Sequence, residues 1–455
     1  MARRSAAGEM ARSPSFCQGR FATTSSTRSS DSAWRAAAAA TTWPTCTGSN
    51  VPPKTPSRTA RECTGGTVPS TAVALPDGVQ GECSAGFAAV ADVLAGQLAS
   101  GAHTGAAVAV RHRGRPVVDL WGGTFGRDTL AVSFSTTKGA VALAAHMALE
   151  RAGVPYDAPV AASWPEFGRK GKDAVTVRHA LCHEAGVPQI RDAVAALADI
   201  ADWDAMVDMV AGLPPLWEAG TANGYHALTW GWLVGELVRR VDGRRVDTFL
   251  ADEVVGPLGL DGCFVGVPPA ERHRVAPLSY DAALAGLPAL EDLLPADSLT
   301  LRALFPPGDV LGFVNSEAGL AACAPAISGA FTARSLATMY AALEGGGRLD
   351  GVRLLRPETV AAATAVQNTR PDLVLIVPMH WRLGFMGGGL PYVSPAGPHP
   401  EAFGHAGFGG SLAMADPRSG LAVALTLDRL SLDLLGDDRS RSILAAALAA
   451  AEAAG

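Results

Sequence analysis

The sequence predicts an α+β fold: an antiparallel β-sheet flanked by helices, joined to a mainly helical domain. Three observations carry this. Two segments, Gly105–Gly123 (GAAVAVRHRGRPVVDLWGG) and Gly409–Leu430 (GGSLAMADPRSGLAVALTLDRL), each place apolar runs on either side of a turn, and strands joined by hairpins pair antiparallel. Segments with apolar residues at helical spacing flank these hairpins and supply the covering layer. Between the two ends lies a long stretch in which helical patterns alternate with Pro/Gly-rich loops.

The elements follow in chain order. Residues 1–78 are read as a disordered N-terminal extension. They are rich in Ser, Thr, Ala, Arg and Pro, and residues 1–60 carry eight basic side chains against two acidic ones. Such a composition cannot bury enough apolar surface to offset the entropy of ordering. Arg3-Arg4 suits the start of a signal peptide, but no continuous apolar region follows, and Ala36–Ala40 is too short to serve. A transit-peptide-like leader and a non-native upstream extension of the reading frame both remain open. The folded body is placed at 79–455, with an α/β part at about 79–150 and 370–455 and a helical insert at about 151–369. Phe87–Ala99 (FAAVADVLAGQLA) has helical spacing, and the first hairpin turns at Arg113-Gly114-Arg115. A helix from Ser135 to about Arg151 is stopped by Gly153 and Pro155. Trp203–Leu213 and Ala227–Val241 are the clearest helices of the insert; Trp230 and Trp232 within the second read as core. The second hairpin turns at Asp416-Pro417-Arg418-Ser419-Gly420, and Arg439–Ala453 closes the chain as an alanine-rich helix.

Composition excludes several functions. The 455-residue chain has a net charge of −6 and no basic stripe of the kind a nucleic-acid binder needs. No run of 18 apolar residues predicts a membrane span. Seven scattered cysteines form no C-x-x-C pair, which points to buried thiols in a reducing, cytoplasmic compartment rather than to a disulfide or zinc scaffold. His179 and His183 have the i, i+4 spacing of metal ligands but lack the glutamate of H-E-x-x-H, and no metal is expected.

The segment Val132–Ala140, VSFSTTKGA, holds the candidate chemistry. Lysine is scarce: Lys54, Lys138, Lys170 and Lys172 stand against 33 arginines. Arginine cannot be deprotonated in a protein, whereas a buried lysine can serve as a base. On a helix, residues i and i+3 share a face, so Lys138 can reach the Ser135 hydroxyl and activate it. The competing reading is a helix end capped by Ser133 or Ser135, with Lys138 solvated.

SFSTTKGA resembles the S-x-x-K nucleophile motif of the serine β-lactamase and penicillin-binding-protein superfamily. Thr176–Pro188 (TVRHALCHEAGVP), GYHALTWGWLVGELVRRVDGR and FGHAGFGGSLAMADPRSGLAVAL resemble, in order, later segments of its class C-like members across about 80–455. The resemblance implies a β-lactamase/transpeptidase-like fold and an acyl-enzyme mechanism without cofactor. It implies that Tyr225 is the phenolic base and later acid, held as phenolate by a cationic Lys138. The amides of Ser135 and Phe408 would form the oxyanion hole, and His405 and Gly407 would face the substrate.

Two departures redirect it. None of the five tyrosines is followed by Asn at the second position, so the Y-x-N motif reads Tyr225-His226-Ala227, and K-T-G reads His405-Ala406-Gly407. Ala227 offers no side-chain hydrogen bond, and His405 is mostly neutral at pH 7. This pattern resembles the β-lactamase-fold carboxylesterase (family VIII esterase) branch. It implies a serine hydrolase acting on a small-molecule ester, with no nucleic-acid or membrane partner. The alternatives are a β-lactamase or D-Ala-D-Ala carboxypeptidase, an acyltransferase to an alcohol, and a non-catalytic penicillin-binding sensor. Loops in 155–225 and 280–325 are expected to shape the pocket.

Overall fold

A computed structural model describes residues 73–286, 289–390 and 396–454. The expected N-terminal extension lies outside the described residues as far as residue 72. Seven strands form one antiparallel sheet: β1 (Val79–Cys83), β2 (Gly105–His112), β3 (Arg115–Gly123), β4 (Met386–Gly387), β5 (Phe403–Ala406), β6 (Leu412–Asp416) and β7 (Leu421–Leu427). Their spatial order is β1-β3-β2-β7-β6-β5-β4. The two predicted hairpins are therefore neighbours, joined by pairing of β2 with β7 in the register Val110↔Val423. Each turn has a local cause. Arg113 and Gly114 both adopt positive φ, as a tight right-twisting hairpin requires. In the second hairpin the Asp416 carboxylate accepts from Arg418 N at 3.1 Å and Ser419 Oγ at 2.5 Å, closing the turn before Gly420.

The principal helices are α1 (Ala88–Ala99), α2 (Thr137–Ala152), α3 (Trp203–Gly212), α4 (Thr229–Asp242), α5 (Ala333–Glu344) and α6 (Asp438–Ala454). Every residue of β7 is buried, so both sheet faces are covered. Helices α1 and α6 pack on each other and on the sheet, and α5 crosses β2, β6 and β7. Trp230 and Trp232 on α4 are core residues, fully buried.

Helix α2 positions the site. It is buried from Thr137 through Leu149, the signature of a central helix with neighbours all round. Small residues allow this: a Cβ on Gly139 would lie 2.0 Å from Tyr340 Oη of α5. Gly153, left-handed at φ +66°, ends it. The helix packs against α4, which brings the segment before α4 alongside the start of α2. The link preceding α2 is short but anchored, because Ala131–Val132 pairs with Gly329–Phe331 and Ser133 N donates to Gly329 O at 2.9 Å.

Among the described residues, no helix is long and apolar enough to cross a membrane. Cys83, Cys182, Cys263 and Cys323 are buried free thiols. Burial pushes Cys263 up to about 12, so this thiol is not a nucleophile.

Candidate active site

Ser135 sits in a 3₁₀ turn, Phe134–Thr136, that precedes α2. The turn is entered through Phe134, whose φ of +43° is left-handed for a residue with a bulky side chain, a conformation that costs about 1–3 kcal/mol and concentrates at functional sites. Neither serine caps the helix. Ser133 makes no side-chain capping bond, and its hydroxyl donates instead to Ala131 O at 3.0 Å. The capped-end reading of VSFSTTKGA therefore fails. Lys138 is also not solvated; its relative exposure is 0%.

Lys138 Nζ lies 3.0 Å from Ser135 Oγ, 2.7 Å from Ala227 O and 3.2 Å from Ala326 O. Both carbonyls can only accept, so they fix two N–H bonds of the amine. The remaining direction points at the serine hydroxyl. Burial holds the Lys138 pKa well below its usual value, because removing an ammonium from water without an anionic partner favours the neutral form. A neutral amine in this arrangement presents its lone pair to Ser135.

Tyr225 lies beside this pair, its ring centroid 4.9 Å from Lys138 Nζ. It stacks on Trp381 at 5.5 Å and 13°, and His183 meets it edge-on at 5.0 Å. Burial pushes the Tyr225 phenol well above its ordinary value, with the Ser135 hydroxyl acting in the opposite sense. Desolvation acts on both groups in favour of the neutral forms, in the opposite sense to the expected phenolate held by a cationic lysine.

Asp372 was not visible as a site residue in the sequence. Its Oδ1 accepts from the backbone of Tyr225 (3.0 Å), Val374 (2.9 Å) and Leu375 (2.9 Å). Its Oδ2 accepts from Asn223 Nδ2 at 3.2 Å and Trp381 Nε1 at 3.0 Å. One buried carboxylate thus fixes both Tyr225 and the indole it stacks on. His183 accepts from His226 N at 3.1 Å and so supports the same loop, whereas His179 closes a capping box with Thr176.

The turn between β5 and β6 closes the other side. Ser411 Oγ donates to Ser133 O at 3.1 Å. A Cβ on Gly407 would lie 2.1 Å from that same carbonyl, so the nucleophile turn itself makes a close approach at Gly407. His405 is fully buried, with Nδ1 2.7 Å from Ala406 O and Nε2 without a partner. Burial pushes it down to about 3. Neither His405 nor Gly407, both expected to face the substrate, is among the residues that line the cavity described below. Gly407 N donates to Ser411 O and Gly409 N to Asp433 O; the intervening Phe408 N–H has no acceptor among the described residues.

A cavity of about 630 Å³ opens onto Ser135 and Tyr225. Phe134, Leu228, Leu290, Phe305, Ile327 and Phe408 give it an apolar wall, and residues within 280–286, 289–291 and 304–310 supply much of the lining. Of the two loop regions expected to shape the pocket, 280–325 supplies much of the lining, whereas 155–225 supplies Tyr225 alone.

Comparisons with known proteins agree with this geometry. A family model described as Beta-lactamase matches residues 90–448. The Esterase/beta-lactamase LipL of Mycobacterium tuberculosis is 36% identical over 370 residues, covering 78% of this chain and 84% of its own. A penicillin-binding protein homolog from Caulobacter crescentus is 39% identical, with a TM-score of 0.72 over 82% of this chain and 99% of its own. The structure of a family VIII carboxylesterase is 34% identical, with a TM-score of 0.74 over the same 82% and 99%. The chain belongs to the beta-lactamase family, and with it to the serine hydrolases of that fold.

Proposed function

We propose that the protein hydrolyses carboxylic esters of small molecules through an acyl-enzyme on Ser135. The observation that carries the reading is the Lys138 amine, fixed by two carbonyls and set 3.0 Å from Ser135 Oγ. Ser135 Oγ attacks the ester carbonyl while its proton passes to Lys138 Nζ. The N–H groups of Ser135 and Phe408 receive the developing oxyanion. The C–O bond to the alcohol breaks, and the proton returns through Lys138 and Tyr225 to the leaving oxygen. Water then attacks the acyl carbonyl, giving its proton to the same pair; Ser135 is released and the carboxylic acid leaves. Tyr225 serves as a neutral proton relay, the role its raised pKa fits.

Ester rather than lactam is favoured by what stands at the two altered motifs. Ala227 has no side-chain donor, and His405 is held neutral by burial and does not line the cavity. The matched structure of a family VIII carboxylesterase supports the same choice, whereas the relative named an esterase/beta-lactamase is compatible with either. The test compares p-nitrophenyl acetate, p-nitrophenyl butyrate and nitrocefin on wild type and Ser135→Ala. Ester turnover well above nitrocefin turnover, abolished by Ser135→Ala, is expected. Undiminished turnover in Ser135→Ala overturns the mechanism, and nitrocefin turnover rivalling that of the esters overturns the choice of substrate.

A further inference from the structure

The cavity next to Ser135 carries an asymmetry of charge that the hydrolytic mechanism does not use. Its lining includes three carboxylates, Asp281, Glu291 and Asp309, and among the described residues no lysine, arginine or histidine. The remainder of the wall is mostly aliphatic or aromatic, from Phe134 and Phe408 beside the nucleophile to Leu290 and Phe305 farther out. Tyr280 lies in the same wall and meets Phe408 edge-on at 6.5 Å. Its phenol is pushed up by burial and, in the same sense, by the fields of Glu291 and Asp309, so both carboxylates act on the space around Tyr280. Asp309 also caps a short helix by accepting from Gly312 N at 2.9 Å, which holds it in place.

We infer that this cavity admits the apolar portion of uncharged or cationic esters and disfavours esters carrying a carboxylate, with Glu291 and Asp309 as the discriminating residues. The inference rests on the esterase reading and narrows its substrate class. A carboxylate entering the cavity loses water and finds no cation in the lining to replace it, which is costly, while the anions repel it, Glu291 from a half-buried position and Asp309 from an exposed one. An uncharged chain meets neither cost and buries apolar area. A quaternary ammonium group gains from the same carboxylates and from the rings of Tyr280 and Phe408. The same charge pattern opposes β-lactams, whose bicyclic nuclei carry a carboxylate.

The test uses the full chain and two matched ester series. In the first, the acyl group of p-nitrophenyl esters is varied among butyrate, hemisuccinate and 4-trimethylammoniobutyrate. In the second, the acyl group is butyrate and the alcohol is neutral, anionic or cationic at equal size. In at least one series kcat/KM for the anionic ester is expected to be about tenfold or more below that of its neutral partner, while the cationic ester equals or exceeds the neutral one. The ratio should shrink at 0.5 M salt because screening weakens charge repulsion. The double variant E291Q/D309N should bring the neutral-to-anionic ratio to within about threefold; Asn keeps the acceptor that caps Gly312. Equal kcat/KM for anionic and neutral esters in both series overturns the inference and leaves the esterase reading standing, as does an unchanged ratio in the double variant. If no ester, neutral ones included, is turned over in a Ser135-dependent manner, both fall together.

Discussion

Lys138 and Lys172 are both fully buried, yet they do different things. Lys172 donates to three backbone carbonyls, Arg169 O, Ala211 O and Leu213 O, at 3.0, 2.8 and 2.5 Å, so every N–H of its ammonium has an acceptor and its role is to tie chain segments together. Lys138 spends only two directions on carbonyls and turns the third to Ser135. The proposed base must be unprotonated, and burial depresses its pKa. The kcat/KM profile for a neutral ester is therefore expected to rise with pH through one ionisation and to level off well below pH 10.5. Lys138→Met should lower kcat by about 10²–10⁴-fold, the range for loss of a general base. A profile still rising at pH 10 would show that Lys138 is an ordinary ammonium. At this scale the sequence was partly readable. Serine three residues before a rare lysine found the pair, although lysine scarcity alone would have chosen Lys172 equally well. Asp372 left no trace, because its bond to Tyr225 spans 147 residues and nothing local distinguishes it from a loop aspartate.

At the scale of elements, three pieces distant in sequence clamp one turn: the start of α2, the loop before α4, and the β5–β6 turn. Gly407 shows how tight this is. Adding a methyl group there sets a carbon against the Ser133 carbonyl, a backbone atom that cannot rotate away. Gly407→Ala is expected to cost about 1–3 kcal/mol of stability, as overpacking does, and to lower kcat more than it raises KM, because the displaced turn carries Ser135. Thermal unfolding and steady-state kinetics check both; an unperturbed kcat would mean that the turn tolerates the shift. Helix boundaries agreed with the sequence pattern to within about two residues and the hairpins to within three, since Gly153, the Arg113-Gly114 turn and the Asp416–Gly420 turn each encode a local stop. The purpose of Gly407 was not readable. A glycine facing a substrate and a glycine facing the chain's own carbonyl look identical in sequence.

At the scale of the whole molecule, four buried histidines are held toward the neutral form. Burial is the leading cause that pushes His103, His226 and His405 down to about 3 and His146 to about 4. In the unfolded chain these rings titrate near 6.5, so below that pH the unfolded state binds more protons than the folded one, and stability falls with pH. The stability that the neutral rings contribute is complete above about pH 6.5 and is lost progressively toward pH 3. Each ring adds a slope of up to about 1.4 kcal/mol per pH unit. Melting temperature is expected to drop continuously across that window, and His103→Gln, remote from the site, should flatten the slope; a melting temperature constant from pH 7 to pH 4 would contradict this. The architecture itself was legible because the two hairpins and the order of the resembling segments constrain how the ends meet. The cavity was not, because its wall comes from short turns and one-turn helices in 280–310 whose packing has no periodic signature.

The most direct measurement is active-site labelling with a fluorophosphonate, followed by peptide mass spectrometry. A phosphonylated Ser135 in the wild type, formed at a rate that falls at least a hundredfold in Lys138→Met, with Ser135→Ala unlabelled, is the expected result. Label on another residue, or Ser135 labelled equally fast without Lys138, would contradict the assignment of Ser135 and Lys138 as nucleophile and base.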